Sequence, residues 1–281
     1  MRYSIVEEVP KNVTIALLDA DIFAFRIAVN KKQTSEQISL YGSQEGRSLD
    51  DLIKEFYAYL RATLSGNDMN INKYIGFFSS NSFRKQVTAK YKANRTAFLL
   101  PDNLNELKRH LSATDTFYFV DGYEADDALA ASQSENNNSI IFSTDKDLLQ
   151  IPGYHYNLTK KQIQYVSKED SEYNLWYQML IGDKVDNIKY LKGLGAVSAS
   201  NMLGNTDVGD YSSLVLTTFI KRLGLDKGVE SFAESFKLIY LKRDMSLFKD
   251  MELGDILDLY GKSIRNEGEE DEGEYFNHGH S

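Results

Sequence analysis

The chain has 281 residues, 42% of them hydrophobic, and carries a formal net charge of −9. A chain of this size can bury a core in one large domain or in two unequal ones. The absence of cysteine excludes disulfides and thiolate metal sites and fits a reducing cytosol. Neither a signal peptide nor a stretch of membrane-spanning length is visible, so we expect a cytoplasmic protein without a membrane partner.

The net charge does not exclude a nucleic-acid partner, because the acidic residues are unevenly placed. Residues 267–274, EGEEDEGE, hold six acids and no base, and without them the net charge is −3. By composition we predict that the tail 263–281 is disordered. It would bind a replication protein, mimic DNA, or remain a solvated end. The positions of the Lys and Arg residues matter more than the total charge.

The first two thirds of the chain alternate short apolar runs with amphipathic segments. The runs at 13–18, 73–78, 116–120 and 139–142 predict buried strands. Helices are predicted at 21–29, at 49–64, from Pro101, from Glu124 and at 174–183, and the chain is mostly helical from the glycine turn at 193–195 to about residue 260. This alternation predicts an α/β fold with a mainly parallel central sheet flanked by helices. Sites in such sheets lie beyond the carboxyl ends of the strands.

Acidic residues follow three of the predicted strands and also precede the glycine turn. The four clusters are Asp19 and Asp21; Glu124, Asp126 and Asp127; Asp145 and Asp147; and Asp183 and Asp186. One such cluster is explained by helix capping, but four at similar positions favour convergence on one site. Converging carboxylates repel unless cations lie between them, and oxygen-only ligands suit Mg²⁺ or Mn²⁺ better than zinc. Two such ions about 3.5–4 Å apart bind the attacking and leaving oxygens in phosphodiester cleavage.

Residues 81–100 are basic, with interleaved aromatic residues and no acid. Lys92 and Arg95, in YKANR, are three residues apart and would share one face of a helix, where they would meet the charge that develops during cleavage. Tyr91 would stack on a base. The alternative is a solvated basic helix without a ligand.

The glycine turn GLG is the second candidate for phosphate contact. Gly193 and Gly195 would allow a positive φ and let a phosphate approach the backbone amides. Lys184, Lys189 and Lys192 are close enough in sequence to join them. Such a turn grips a duplex without reading its sequence. A plain turn between two helices is the alternative.

Four motifs together resemble those of the 5′-nuclease superfamily, and the phage 5′→3′ exonucleases are the most similar branch. The motifs are YEADDALA, STDKDLLQIPG, YKANR and GDKVDNIKYLKGLGA, and the resemblance covers residues 13–205. It implies a metal-dependent 5′→3′ exonuclease or flap endonuclease acting in replication, primer removal or DNA degradation. It also implies three regions: a PIN-like nuclease core at 1–181 with a helical arch at about 80–100, a DNA-binding region at 182–262 with a helix–hairpin–helix motif at 188–203, and the tail 263–281.

The resemblance implies roles for individual residues. The implied metal ligands, some of them acting through water, are Asp19, Glu124, Asp126, Asp127, Asp145, Asp147, Asp183 and Asp186. The implied catalytic residues are Lys92 and Arg95, on the scissile phosphate, with Asp19, Asp126 and Asp145. The implied DNA contacts are Arg84, Lys85, Tyr91, Lys92, Arg95, Lys184, Lys189, Lys192, Gly193, Gly195 and Ser198.

The resemblance also implies cofactors and partners. The cofactors are two Mg²⁺ or Mn²⁺ ions, with a K⁺ at the helix–hairpin–helix, and water is the nucleophile. The substrate is DNA, or an RNA–DNA hybrid, with a 5′ end, flap, nick or RNA primer. We expect a monomer, located in the bacterial host cytoplasm if it is encoded by a phage.

One position departs from the family pattern. The second predicted strand ends at Ser79, where the family usually has an aspartate that helps to hold one metal ion. Asp21 or water would compensate, or one metal would bind weakly, or the chain would have lost activity. Two other functions stay open on the sequence alone. One is a non-catalytic binder of DNA junctions. The other is a haloacid-dehalogenase-like phosphatase, in which Asp19 attacks and Asp21 serves as the acid.

Overall fold

A computed structural model of the chain describes residues 1–29, 48–66, 69–94, 101, 103–188, 191, 193–241 and 243. These residues contain seven strands: β1 (Ser4–Val6), β2 (Ile15–Asp19), β3 (Lys73–Ser79), β4 (Phe117–Val120), β5 (Ser139–Ser143), β6 (Gly153–Asn157) and β7 (Gln162–Val166). The strands form one sheet in the order β1-β7-β6-β5-β2-β3-β4.

The five strands from β6 to β4 are parallel, and β7 and β1 extend the sheet as antiparallel strands beyond β6. The predicted mainly parallel sheet is confirmed. Its register sets Asp19 beside Phe77 and Leu18 beside Phe142. Because the parallel strands point the same way, β2, β3, β4 and β5 all end at one edge of the sheet.

The described helices flank this sheet and continue beyond it. They are α1 (Ala20–Ala28), α2 (Leu49–Ser65), α3 (Arg84–Val87), α4 (Leu104–Ser112), α5 (Ala125–Glu135), α6 (Lys168–Ile181), α7 (Ala196–Gly204), α8 (Tyr211–Leu223) and α9 (Leu225–Ile239). Ser48 and Ser167 cap α2 and α6 by accepting hydrogen bonds from backbone amides of their first turns.

Each face of the sheet has its own apolar core. On one face, Phe23 and Phe56 of α1 and α2 pack with Phe117 of β4. Gly76 of β3 makes room for that layer, because a Cβ there would lie 2.4 Å from the Phe117 ring. On the other face, Leu129 of α5 packs against Ile141 of β5. Burying one large apolar side chain contributes roughly 1.5–3 kcal/mol, so both faces stabilise the edge that carries the acids.

A third core holds the helical second half together. Trp176 of α6 is buried and stacks against Phe232 of α9 at 6.2 Å between ring centroids. The predicted helical character of this half is confirmed as far as Ile239, and residues 244–281, including the acidic tail, lie outside the described residues. No helix in the described ranges is both long enough and apolar enough to cross a membrane.

Candidate active site

The first carboxylate of the site stands at the carboxyl end of β2. Asp19 is 4% exposed, and its Oδ2 accepts a hydrogen bond from Ser143 Oγ at 2.7 Å. Burial raises the pKa of Asp19 to about 7; the Ser143 hydrogen bond opposes this, and the charges of Asp21 and Asp145 add to it. Asp19 is thus a buried carboxylate whose ionised form is disfavoured by the loss of water and by the neighbouring carboxylates.

Three more acids share that crowding. Loss of hydration, with the charges of Asp145 and Asp19, raises the pKa of Asp126 well above its usual range. Loss of hydration also raises the pKa of Asp145. Burial and the charge of Asp145 raise the pKa of Asp147 to about 7. One oxygen of Asp147 is buried and accepts no hydrogen bond from the described residues. Acids from β2, from α5 and from the segment after β5 therefore lie close enough to repel one another, as their spacing predicted.

Glu124 and Asp186 meet around the side chain of Lys92. Lys92 Nζ lies 2.6 Å from Glu124 Oε1 and 3.7 Å from Asp186 Oδ2. Tyr91 Oη donates to Glu124 Oε2 at 2.9 Å, and burial together with the charge of Glu124 raises its pKa. The backbone N–H of Lys92 donates to the Asp186 carbonyl at 2.9 Å. The basic stretch is thereby tied to two separate acidic clusters.

This arrangement corrects two predictions. Tyr91 is only 4% exposed, so the prediction that its ring stacks on a base is wrong. Lys92 does not lie on a helix, because residues 89–94 form turns and Lys92 itself has φ of 55°. Its ammonium nevertheless reaches the acids. Arg95, its predicted partner, lies outside the described residues.

Arg84 and Asp127 form a buried pair beneath the site. Arg84 is 1% exposed and donates to both carboxylate oxygens of Asp127, at 2.6 and 2.8 Å. It also donates to the backbone oxygens of Leu238 and Tyr240. The prediction that Arg84 contacts DNA is wrong, because its side chain is only 1% exposed and its guanidinium is engaged inside the protein. Asp127 is 0% exposed with both oxygens occupied, so the prediction that it binds metal is wrong too.

Ser79, at the end of β3, lies where the family usually has an aspartate. Ser79 Oγ accepts the N–H of Ala125, the first residue of α5, at 3.0 Å. Asp21 accepts the Ser79 backbone N–H at 2.9 Å and pairs with Lys108 Nζ at 2.6 Å. The Asp21 carboxylate thus lies beside Ser79, with one oxygen on its backbone N–H and the other on Lys108, and compensation by Asp21 stays a prediction. The sequence pointed to Asp21 but gave no signal for Lys108.

The turn after α6 carries the last two predicted acids. Asp183 Oδ1 accepts the backbone N–H groups of Val185 and Asp186, at 2.7 and 3.2 Å. Its Oδ2 pairs with Lys146 Nζ at 2.8 Å. Burial opposes ionisation of Asp183, but the Lys146 ammonium and the two amides prevail and lower its pKa. Lys146, which lies between Asp145 and Asp147 in sequence, was not predicted as part of the site.

The glycine turn is partly as expected. Gly193 has φ of 77°, which confirms the predicted positive φ there. Gly195 has φ of −93° and caps α7, so the same expectation for Gly195 is wrong. Both glycines are exposed, as are Lys184 and Ser198 nearby and Lys85 on α3. Lys189 and Lys192 lie outside the described residues, and the DNA contacts predicted here stay predictions.

The donor set of this site suits a divalent cation. Its oxygens belong to carboxylates whose pKa values rise chiefly because they are buried and further because they repel one another, and one oxygen of Asp147 accepts no hydrogen bond from the described residues. As placed, no three acidic or histidine side chains of the described residues are arranged to hold an ion. Lys92 and Lys146 lie against the acids instead. A cation that bound here would compete with these two ammonium groups for the same oxygens.

Residues 14–175 match the family described as 5′-3′ exonuclease, N-terminal resolvase-like domain. The chain belongs to this family. That membership agrees with the resemblance carried by the sequence motifs, and it argues against the phosphatase alternative. The four acidic residues on β2, α5 and the loop after β5 that crowd one another all fall inside the matched range.

Individual relatives agree with the family. DNA polymerase I of Borreliella burgdorferi is 32% identical over 221 residues, covering 63% of this chain and 24% of that protein. Flap endonuclease Xni of Pseudoalteromonas translucida is 27% identical over 188 residues, covering 61% of this chain and 73% of that protein. The matched part spans 24% or less of the DNA polymerase I relatives.

The fold of the 5′-3′ exonuclease family is also seen in solved structures. The T5 D15 protein co-crystallised with metal ions superposes with a TM-score of 0.58 at 15% identity, covering 90% of this chain and 98% of that one. A complex of T5 D15 flap endonuclease with DNA and metal ions gives a TM-score of 0.51 at 16% identity, with the same coverage of both chains. At these identities the likeness establishes the fold, which is the predicted 5′-nuclease fold.

Proposed function

We propose that this chain is a divalent-metal-dependent 5′→3′ exonuclease or flap endonuclease that hydrolyses phosphodiester bonds near the 5′ end of DNA. The observation that carries the proposal is the convergence of Asp19, Asp126 and Asp145 at one sheet edge, with Lys92 facing them across Glu124. Crowded acids beside a cationic side chain fit hydrolysis of a phosphodiester, whose developing charge needs both.

The acids divide into a core set and an outer set. Asp19, Asp126, Asp145 and Asp147 have raised pKa values and would hold the metal ions, with Glu124, Asp183 and Asp186 at the rim. Bound Mg²⁺ or Mn²⁺ would supply Lewis acidity and lower the pKa of the attacking water. The residues of the chain would hold these ions and orient the phosphate.

Lys92 is placed to meet the scissile phosphate. Its side chain is 20% exposed, so the ammonium reaches from the acids toward the opening of the site. A phosphate oxygen entering there would offer Lys92 a second anionic partner. The backbone N–H of Lys92 donates a hydrogen bond to the Asp186 carbonyl. This bond holds the turn in place and keeps the Lys92 side chain close to the acids. Lys92 would thus stabilise charge on the phosphate rather than transfer a proton.

The exposed turn at Gly193 and the N-terminus of α7 would hold the duplex. Backbone amides at a helix start favour a phosphate, and the exposed residues Lys184 and Ser198 lie on either side of Gly193 in sequence. The T5 D15 complex with DNA and metal ions supports a DNA substrate for this fold. A K⁺ ion at this turn, an RNA primer as substrate, a monomeric state, cytoplasmic location and a replication partner for the tail stay predictions.

The test is cleavage of a 5′-labelled flap and of a nicked duplex in Mg²⁺, in Mn²⁺ and in EDTA. Metal-dependent shortening from the 5′ end is the expected result, and Asp145→Asn should abolish it. A matched control is Asp121→Asn, at an exposed acid beyond β4. Metal-independent products, or full activity of Asp145→Asn, would contradict the proposal.

A second candidate is a DNA-junction binder with impaired catalysis. It is favoured by Ser79, whose hydroxyl is engaged with the N–H of Ala125 and brings no charge to the site. Tight binding of a 5′ flap without any metal-dependent product would select this candidate. Binding is measured in EDTA on the same flap, so the two candidates give different results in one set of assays.

A further inference from the structure

A cavity of about 370 Å³ opens beside the candidate active site, at the carboxyl ends of β5 and β6. We propose that this β5–β6 cavity, lined by Tyr3, Asp145, Lys146, Lys160 and Gln164, binds a 5′-mononucleotide. The inference rests on the proposed function, since a nuclease that trims a 5′ end releases mononucleotides. Small-molecule sites commonly have volumes of about 300–1,000 Å³, so a nucleotide fits the size of the cavity.

Gln164 gives the first indication of a ligand. It lies on β7, is 3% exposed and lines the cavity, yet its side-chain amide has no hydrogen bond to any described residue. Because the amide faces the cavity, its donor and its acceptor are both available to a ligand that enters there. An amide presents a donor and an acceptor side by side, and this pattern matches the N6 and N7 edge of adenine.

Two lysines give the cavity its charge. Lys160 is exposed at the β6–β7 turn, and its Nζ donates to Tyr3 Oη at 3.2 Å, which leaves further donors for a ligand. Lys146 has a side chain that is 56% exposed, and its Nζ lies 2.8 Å from Asp183 Oδ2 and 3.9 Å from Asp147 Oδ1. Asn157 fixes the turn, because its Oδ1 accepts the backbone N–H of Lys160 at 2.9 Å. Two ammonium groups on one cavity suit a phosphate group.

The remaining lining supplies contact for a base and a path from the active site. Tyr3 offers an aromatic ring, on which a base gains roughly 1–3 kcal/mol by stacking. Asp145 lies both in this wall and in the acidic cluster, so a nucleotide leaving the acids would reach the cavity directly. The phosphate would face Lys146 and Lys160, and the base would face Gln164 and Tyr3.

The test measures binding of 2′-deoxyadenosine 5′-monophosphate in EDTA, by titration calorimetry, with inorganic phosphate and deoxyadenosine as partial ligands. The nucleotide should bind at least about tenfold more tightly than either partial ligand, because it alone engages both ends of the cavity. Binding is measured in EDTA, so it does not depend on catalysis. A protein that binds the nucleotide but cleaves no DNA in Mg²⁺ would support this proposal and contradict the proposed function. An active nuclease that does not bind it overturns this proposal alone.

Three variants assign the binding to the cavity. Gln164→Leu should weaken nucleotide binding about threefold to tenfold, and Lys160→Ala by about tenfold or more. Lys161→Ala is the matched control, because Lys161 is exposed, adjacent in sequence and outside the cavity lining. Gln164→Leu should melt at about the wild-type temperature, since it removes no hydrogen bond within the described residues. Wild-type affinity in both cavity variants overturns the proposal.

Competition identifies the source of the nucleotide. A flap duplex with a non-hydrolysable linkage is added to the protein that holds labelled nucleotide. Displacement in a one-to-one ratio assigns the cavity to a nucleotide of the DNA strand, and simultaneous binding assigns it to released product. Binding of phosphate alone with the same affinity as nucleotide, equally reduced by Lys161→Ala, indicates unspecific attraction and overturns the proposal.

Discussion

Arg84 on α3 grips Asp127 on α5 through two parallel hydrogen bonds, 43 residues apart in sequence and fully inside the protein. The same guanidinium binds the backbone oxygen of Leu238 at the end of α9. One side chain thus joins the basic stretch, the acidic helix and the helical second half. Because Glu124 lies only 3.6 Å from Arg84, the pair also positions the rim of the active site.

We predict that Asp127→Ala destabilises the fold by about 3–5 kcal/mol, since it leaves the Arg84 charge buried without its partner. Urea unfolding measures this, and Arg84→Met with Asp127→Leu should recover a large part of the loss. Additive losses in the double variant would show that the two residues act separately. The double variant should stay deficient in cleavage. Without the Arg84 guanidinium, Glu124 loses its ion pair and the Leu238 carbonyl at the end of α9 loses its hydrogen bond.

We predict that Lys92→Ala slows single-turnover cleavage by about 10²–10³-fold while binding of the flap weakens far less. The reason is that Lys92 contacts the acids and the entering phosphate, not the length of the duplex. Lys90→Ala, two residues away and exposed, is the control and should cleave at nearly the normal rate. Equal losses of cleavage and binding in Lys92→Ala would remove Lys92 from the chemical step.

We predict that Asp145→Asn with Asp147→Asn abolishes metal-dependent cleavage and raises the melting temperature in EDTA. Fewer like charges would then repel one another at the sheet edge. Saturating Mg²⁺ should stabilise the wild type, by about 2.7 kcal/mol at a hundredfold excess over Kd, and leave the variant unchanged. A variant that still gains stability from Mg²⁺ would show that the ions bind elsewhere.

The end of β3 yields a paired prediction on the missing aspartate. Asp21→Asn should reduce cleavage strongly, because Asp21 is the carboxylate that reaches Ser79. Ser79→Asp should restore activity to Asp21→Asn and lower the Mg²⁺ concentration needed by the wild type. Cleavage rates across a Mg²⁺ titration measure both effects. If Asp21→Asn cleaves normally, the Asp21 carboxylate serves only in the ion pair with Lys108 and does not compensate for Ser79.

The sequence predicted the parts of the fold that depend on local pattern. The strands β2 to β5 are apolar runs, which in β2 and β5 reflects burial of both faces, and the predicted bounds differ from those observed by at most two residues. The strands β1, β6 and β7 were missed. Their sequences SIV, GYHYN and QIQYV are short or mix polar with apolar residues, and only their pairing makes them strands.

In the site, too, the sequence identified some residues, and others became visible only in the structure. Spacing identified the converging acids, since residues after parallel strands must meet at one edge. Spacing could not reveal that Arg84 is the buried partner of Asp127, because a basic residue in a basic stretch looks like a phosphate contact. Nor could it place Lys108 on Asp21, 87 residues away. Pairings between distant elements follow from packing, which a single sequence does not display.

His155 of β6 gives a prediction on the pH dependence of stability. It is 4% exposed, its Nε2 donates to the Ile151 carbonyl at 2.8 Å, and burial lowers its pKa to about 4. The unfolded chain, with a pKa near 6.5 for histidine, therefore binds more protons between these two values than the folded chain does. The stability that neutral His155 contributes is complete above about pH 6.5 and is lost as the pH falls toward 4.

We expect His155→Gln to reduce this loss by about 3 kcal/mol between pH 7 and pH 4, since one pKa unit corresponds to about 1.4 kcal/mol. Urea unfolding at half-unit pH steps measures the slope. His110→Gln, at an exposed histidine of α4, is the control and should keep the wild-type slope. The crowded acids act in the opposite sense, because their raised pKa values weaken the fold as the pH rises. An unchanged acid slope in His155→Gln would show that His155 is protonated in the folded protein as readily as in the unfolded one.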